Sequence, residues 1–211
     1  KGHARVNSLL VLIGGPTCSG KTSIARAVCE LLPQGTCGVI GLDSYYHDLS
    51  HLPPIERAAA NFDHPDAFDW PLLEVDLDQL LAGGPANVPV YDFANHERSG
   101  VTLLMAASDV LIVEGILALY DEELCRMARL RVFVDAADAI CLKRRIDRDI
   151  AERGRTEASV RKQFGASVLP MASQYVNPTK ARANLVLESG EGIASLAQRV
   201  LSRIDQLRDH G

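Results

Sequence analysis

Gly15-Pro16-Thr17-Cys18-Ser19-Gly20-Lys21-Thr22, residues 15–22, is the stretch whose reading decides the fold. It matches G-x-x-x-x-G-K-[ST], the Walker A pattern, in full, and its flanks are those the pattern needs. Upstream, Leu9-Leu10-Val11-Leu12-Ile13 has the length and branching of a buried strand. Downstream, residues 21–32 read as a helix. Strand, glycine turn and helix in that order form a cradle for phosphate. The glycines let backbone N–H groups approach oxygen atoms closely, and the helix N-terminus adds its partial positive charge. Residues Gly15, Pro16, Thr17, Cys18, Ser19, Gly20, Lys21, Thr22 and Ser23 are therefore expected to bind a nucleoside triphosphate, ATP or GTP. Lys21 reaches its β- and γ-phosphates, and the Thr22 hydroxyl ligates Mg²⁺.

Strand-like apolar runs alternate with helical patterns outward from this loop, which predicts an α/β fold with a parallel sheet. Strands are expected at residues 9–13, 38–42, 110–113, 130–134 and 185–187. Helices are expected at 21–32, 72–81, 121–127, 137–152, 157–175 and 192–207. Residues 45–99 break the alternation. Pro53-Pro54, His64-Pro65 and Trp70-Pro71 make them irregular, with one convincing helix, and Phe62, Phe68, Trp70, Tyr91 and Phe93 argue against disorder. This insertion is read as the substrate-binding part.

The composition narrows the class. A chain of 211 residues with 47% hydrophobic content suits one domain spanning 1–211. Its formal net charge of -5 argues against nucleic-acid binding. Cys18, Cys29, Cys37, Cys125 and Cys141 are scattered without a Cys-x-x-Cys pair, so neither a zinc site nor a disulfide framework is expected. With no secretory signal and no apolar run long enough to span a bilayer, a reducing cytoplasm is the expected location, with no membrane partner.

Three further segments carry chemistry. Asp109-Val-Leu-Ile-Val-Glu114-Gly115 is a buried strand ending in a carboxylate, which would present Glu114 to the metal and its waters. Asp43 follows the strand at 38–42. It is either a base for an attacking hydroxyl, or the acceptor of an Asx-turn or a helix N-cap. In the dense basic stretch Lys143 to Arg155, Leu142, Ile146 and Ile150 predict the buried face, Arg144 and Arg148 the opposite one, and Arg145 its edge. Two readings stand: a solvated, salt-bridged helix, or a lid whose tip is broken by Gly154 and whose guanidinium groups meet a transferring phosphoryl group.

Taken together, Gly15–Thr22, Asp43-Ser44-Tyr45-Tyr46, the run from Asn61 to Asp69, Pro89-Val90-Tyr91-Asp92-Phe93, Glu114-Gly115, Arg144 to Arg155 and Pro178-Thr179-Lys180 resemble the uridine kinase (uridine–cytidine kinase) family of P-loop kinases. The resemblance implies a P-loop NTPase three-layer sandwich with a parallel five-stranded sheet, a nucleoside-binding insertion at 45–99 and an Arg-rich lid at 144–177. It implies transfer of a γ-phosphoryl group to the 5′-hydroxyl of uridine or cytidine in pyrimidine salvage. Lys21, Asp43, Arg148 and Arg153 match catalytic positions. Tyr46, Phe62, Asp63, Tyr91, Phe93, His96, Arg145, Arg155 and Gln163 match positions around the acceptor or the phosphate-side lid. Thr22 and Glu114 match the Mg²⁺ shell, and a homo-oligomer, tetramer or dimer, is implied. Near the last strand the family carries Tyr-Ala-Asp and Pro-Arg-Gly where this chain has Arg182-Ala183-Asn184 and Glu188-Ser189-Gly190. Two alternatives stand beside this reading: a P-loop kinase for another small alcohol, phosphoribulokinase- or pantothenate kinase-like, and a nucleotide-switched binding protein.

Overall fold

In the computed structural model, which describes residues 8–209, the first strand, β1, spans Leu9–Gly14 and is buried throughout. The expected span 1–211 thus includes nine residues, 1–7 and 210–211, outside the described part. Helix α1 spans Lys21–Leu31 and β2 spans Cys37–Gly41. The insertion then contributes a 3₁₀ turn (Leu42–Tyr45), α2 (Pro54–Ala58), α3 (Trp70–Leu81), β3 (Ala86–Asp92) and β4 (Glu97–Met105). After it come β5 (Val110–Glu114), α4 (Glu122–Met127), β6 (Leu130–Asp135) and α5 (Asp138–Arg153). Next are α6 (Glu157–Gln163), α7 (Leu169–Met171), β7 (Leu185–Glu188) and α8 (Ile193–Asp209).

The main sheet has five strands in the order β2-β5-β1-β6-β7, and every pairing is parallel. Because side chains alternate across a strand, β1 serves two cores. Val11 and Ile13 pack with Ile24 and Val28 of α1 and with Leu196, Val200 and Ile204 of α8. Leu10 and Leu12 pack on the other face with Tyr45, Leu73, Leu77 and Phe133. The register sets Glu114 beside both Ile13 and Gly41, so the ends of β1, β2 and β5 converge. Such a convergence at the carboxyl ends of parallel strands is where open α/β sheets bind ligands.

The structure corrects four readings. The insertion contains an antiparallel hairpin, β3–β4, running to Met105. Val101, Leu103 and Leu104 on β4 are exposed, so no alternation of buried and exposed positions marked it as a strand. The helix expected over 157–175 is interrupted by π-helical turns at Phe164–Val168 and Ala172–Val176, with Pro170 between them unable to donate a backbone hydrogen bond. On α5 the buried positions are Cys141, Arg145, Ile146 and Asp149, while Ile150 is exposed. Two polar side chains, Arg145 and Asp149, thus share the buried face with Cys141 and Ile146. Finally, Cys29 and Cys37 form a disulfide across the turn from α1 to β2, their Cα atoms 5.3 Å apart. A separation of eight residues spanning a helix end and a strand start left no motif to read.

Candidate active site

The phosphate loop has the backbone its glycines predict. Gly15 sits at φ 137° against β6, where a Cβ would lie 2.4 Å from the Val134 carbonyl oxygen. Gly20 caps α1 at φ 106°, and Cys18 adopts a left-handed φ of 56° between them. The Ser19 hydroxyl is buried without a hydrogen-bond partner inside this loop. Pro16 is buried, Thr17 and Cys18 are half-buried, and Ser23 is exposed on the first turn of α1. Lys21 folds back to donate a 2.8 Å bond to the Pro16 carbonyl. Burial lowers its ammonium pKa, and Glu114 and Asp43 pull the other way.

Asp43 follows β2 in the 3₁₀ turn, close enough to Lys21 to feel its charge. Burial pushes its carboxyl above the ordinary range, against Lys21, a hydrogen bond from Tyr46, Arg153 and Arg148. The Tyr46 ring in turn meets Phe62, Phe68 and Tyr91 at centroid distances of 5.0, 4.6 and 5.3 Å. Phe62 stacks on His96 at 5.0 Å, and Phe93 packs edge-on to Tyr91 at 5.3 Å. The structure thus gathers Tyr46, Phe62, Tyr91, Phe93 and His96 in one aromatic cluster, with Phe93 exposed. Asp63 lies close enough to Asp43 and Arg145 to feel both charges, and burial raises its carboxyl as well.

Two cations of the insertion hold this cluster in place. Arg98 donates to the Tyr46 carbonyl at 3.1 Å and to Asp69 at 2.9 Å. Arg57 donates to the Leu52 and Asn95 carbonyls and pairs with Glu97. Residues 45–99 hold no other arginine and no lysine. No local pattern links residues some 40 or 50 positions apart.

Four arginines of the basic stretch meet at a residue missed as a site member. Asp149 is fully buried and lies within 4.0 Å of guanidinium nitrogens from Arg145, Arg148, Arg153 and Arg155. The available signal was its place one helical turn after Arg145 and one before Arg153. Gln163 accepts from both Arg145 (3.2 Å) and Arg155 (2.7 Å), and Arg145 also donates to the Thr17 hydroxyl at 3.1 Å. Arg144, placed on the face opposite the buried one, is exposed as expected but also bonds Ser189 and the Cys18 and Ser19 carbonyls, clamping the phosphate loop to the β7–α8 turn.

The residues present fit Mg²⁺. Thr22 Oγ1 and Glu114 Oε1 are hard oxygen donors 2.8 Å apart beside the phosphate loop. Burial holds the Glu114 carboxyl above its usual range, opposed by Lys21 and the Thr22 hydrogen bond. Among the described residues no group of three or more His, Cys, Asp or Glu is placed to hold a metal. Mg²⁺ commonly uses one or two protein oxygens together with substrate phosphates.

A family model described as Phosphoribulokinase / Uridine kinase family matches residues 10–194. The chain belongs to that family. Similar relatives include uridine kinases of Streptococcus equi subsp. zooepidemicus and Streptococcus pyogenes, each 41% identical over 86% of this chain and 88% of its own length. Within the family's fold, a putative fructose transport system kinase from Silicibacter sp. TM1040 superposes with a TM-score of 0.68 at 19% identity, covering 85% of this chain and 89% of its own. A possible uridine kinase from Bacillus stearothermophilus gives 0.53 at 18% identity, covering 89% and 91%. The family shares the three-layer α/β architecture built around a P-loop, as the sequence led us to expect.

Proposed function

We propose that the chain transfers the γ-phosphoryl group of ATP to the 5′-hydroxyl of a pyrimidine ribonucleoside, uridine or cytidine, in nucleoside salvage. One observation carries this reading: Asp43 lies between the phosphate-loop Lys21 and the Tyr46 hydroxyl of the aromatic cluster, where donor and acceptor halves meet. The 41% identity to streptococcal uridine kinases supports it.

In this mechanism Asp43 accepts the 5′-hydroxyl proton as that oxygen forms a bond to the γ-phosphorus. The bond from phosphorus to the β–γ bridging oxygen breaks, and ADP leaves. Lys21 leaves the Pro16 carbonyl for the β- and γ-phosphates, and Arg148 and Arg153 face the charge that develops on the transferring group. Mg²⁺, held through Thr22 and Glu114, supplies charge neutralisation to the triphosphate. Asp63 and Arg145 bind the ribose hydroxyls. Tyr46, Phe62, Tyr91, Phe93 and His96 surround the base and sugar, with Arg155 and Gln163 closing over them. Residues 45–99 act as the acceptor-binding insertion and 144–177 as the lid of one domain.

A phosphorylated acceptor fits less well. The insertion's Arg57 and Arg98 are both engaged by carbonyls and carboxylates, which leaves no free guanidinium there for a second phosphate. The setting we propose is the cytoplasm, with no nucleic-acid or membrane partner. Among the described residues no helix is long and apolar enough to cross a membrane. The assembly we propose, by family resemblance, is a homo-oligomer, tetramer or dimer.

The deciding experiment measures ADP or GDP formation with each of ATP and GTP against a panel of nucleosides and small alcohols. We expect uridine and cytidine to accelerate it with ATP, and 2′-deoxy analogues to be rejected by up to roughly 10⁴-fold because they leave buried polar groups unpaired. Acceleration by a sugar phosphate and by no nucleoside would overturn the reading.

A further inference from the structure

Asp149 carries one negative charge into a ring of four positive ones. Its Oδ1 accepts from Arg148 Nε at 3.0 Å and Nη2 at 2.8 Å, and Arg153 Nη1 stands 3.8 Å from the same oxygen. Its Oδ2 accepts from Arg155 Nη1 at 3.1 Å, with Arg145 Nε at 3.7 Å. A carboxylate offers about four lone-pair sites, and the arginines compete for them. Arg145 Nε is the loser: it is buried, aimed at Oδ2 and without a hydrogen bond.

The competitors belong to opposite halves of the site. Arg148 and Arg153 serve the phosphoryl group, and Arg145 and Arg155 serve the acceptor, on the assignment made under Proposed function. We propose that Asp149 is a positioning residue that couples donor and acceptor binding, through its one carboxylate shared by the two pairs of arginines. A bound triphosphate draws Arg148 and Arg153 toward its oxygens. Lone pairs on Asp149 are then released to Arg145 and Arg155, which are held in the pose that binds the nucleoside. Gln163, bridging Arg145 and Arg155, moves with them, and the Arg145–Thr17 bond ties the same group to the phosphate loop. The effect is reciprocal: bound nucleoside favours the triphosphate by the same factor.

Calorimetry on the full chain with Mg²⁺ tests this, titrating uridine with and without a non-hydrolysable ATP analogue. The wild-type protein should bind uridine about 5–150-fold more tightly with the analogue present, the usual range for such coupling. In Asp149→Asn that ratio should fall to near one. A purely structural role for Asp149 would lower the melting temperature or weaken both ligands and leave the ratio intact. Where Asp149→Asn does not fold, Arg155→Ala replaces it, and the ratio should again fall because Oδ2 has lost its acceptor-side partner. A folded variant that keeps the wild-type ratio, or a wild-type ratio of one, overturns the coupling. If nucleosides fail to drive ADP formation at all, the functional reading falls with it. Turnover with an unchanged ratio sinks the coupling alone.

Discussion

Thr22 Oγ1 donates a 2.8 Å hydrogen bond to Glu114 Oε1 across 92 positions of chain. The bond exists because β5 lies between β1 and β2, with Glu114 in register with Ile13 and Gly41. It sets two hard oxygen atoms, the proposed Mg²⁺ ligands, beside the phosphate loop. Glu114→Gln should raise the Mg²⁺ concentration for half-maximal activity by about 10–100-fold, with the nucleoside KM at saturating Mg²⁺ little changed. A Mg²⁺ titration of the rate checks this, and an unaltered midpoint would remove Glu114 from the metal shell.

Asp43 should set the acid limb of the kcat/KM profile. Its raised pKa means that it holds its proton at pH values where an exposed aspartate has already lost it. Only the ionised form accepts the 5′-hydroxyl proton, so activity falls as pH drops through that raised value, above the usual carboxylate range. Asp43→Asn should lower kcat by about 10²–10⁴ and erase that limb, while binding of an ATP analogue persists. A variant turning over at the wild-type rate would exclude the base role.

Gly15 and Gly165 should respond oppositely to alanine. At Gly15 the φ of 137° disfavours any side chain, and the Cβ would meet the Val134 carbonyl oxygen at 2.4 Å. Strain of this kind costs about 1–3 kcal/mol, and the collision adds to it. At Gly165 nothing lies within 4 Å and the backbone is helical, so alanine should stabilise by about 0.4–1 kcal/mol. Urea denaturation of the two variants measures both. Equal stability for the pair would contradict the loop geometry.

Arg98→Ala should loosen the acceptor side selectively. Its guanidinium ties β4 to the Tyr46 carbonyl and to Asp69, and it makes no hydrogen bond to residues 15–22. Losing a charged hydrogen-bonding group that orders a binding surface costs about 1–3 kcal/mol. The nucleoside KM should therefore rise at least several-fold, with the ATP KM close to wild type. Steady-state kinetics with each substrate varied in turn separates the two. Equal rises would assign Arg98 to folding instead.

Much of this architecture was readable in one dimension. Leu9–Ile13 is uniformly apolar because β1 is buried on both faces, and Val110–Val113 of β5 reads in the same way, whereas β2 and β7 are only partly buried and were read from short apolar runs alone. The hairpin β3–β4 was invisible because exposed Val101, Leu103 and Leu104 supply no burial pattern. Arg145 was misplaced at the edge of a solvated face, since helical periodicity sorts residues by polarity and cannot foresee that a buried Asp149 makes an arginine an interior residue.

The donor half needed only the order of residues along the chain. A strand, Gly15 to Thr22 and a helix are contiguous, so local backbone preferences and hydrogen bonds already specify a phosphate cradle. The half we propose for the acceptor was decided in three dimensions. Tyr46, Phe62, Tyr91 and His96 come from separate stretches, and the guanidinium groups of Arg145, Arg148 and Arg155 converge on Asp149 and, for Arg145 and Arg155, on Gln163. Ring contacts and shared charges between distant residues leave no periodic trace, and only the packing of the insertion and lid against the sheet brings them together.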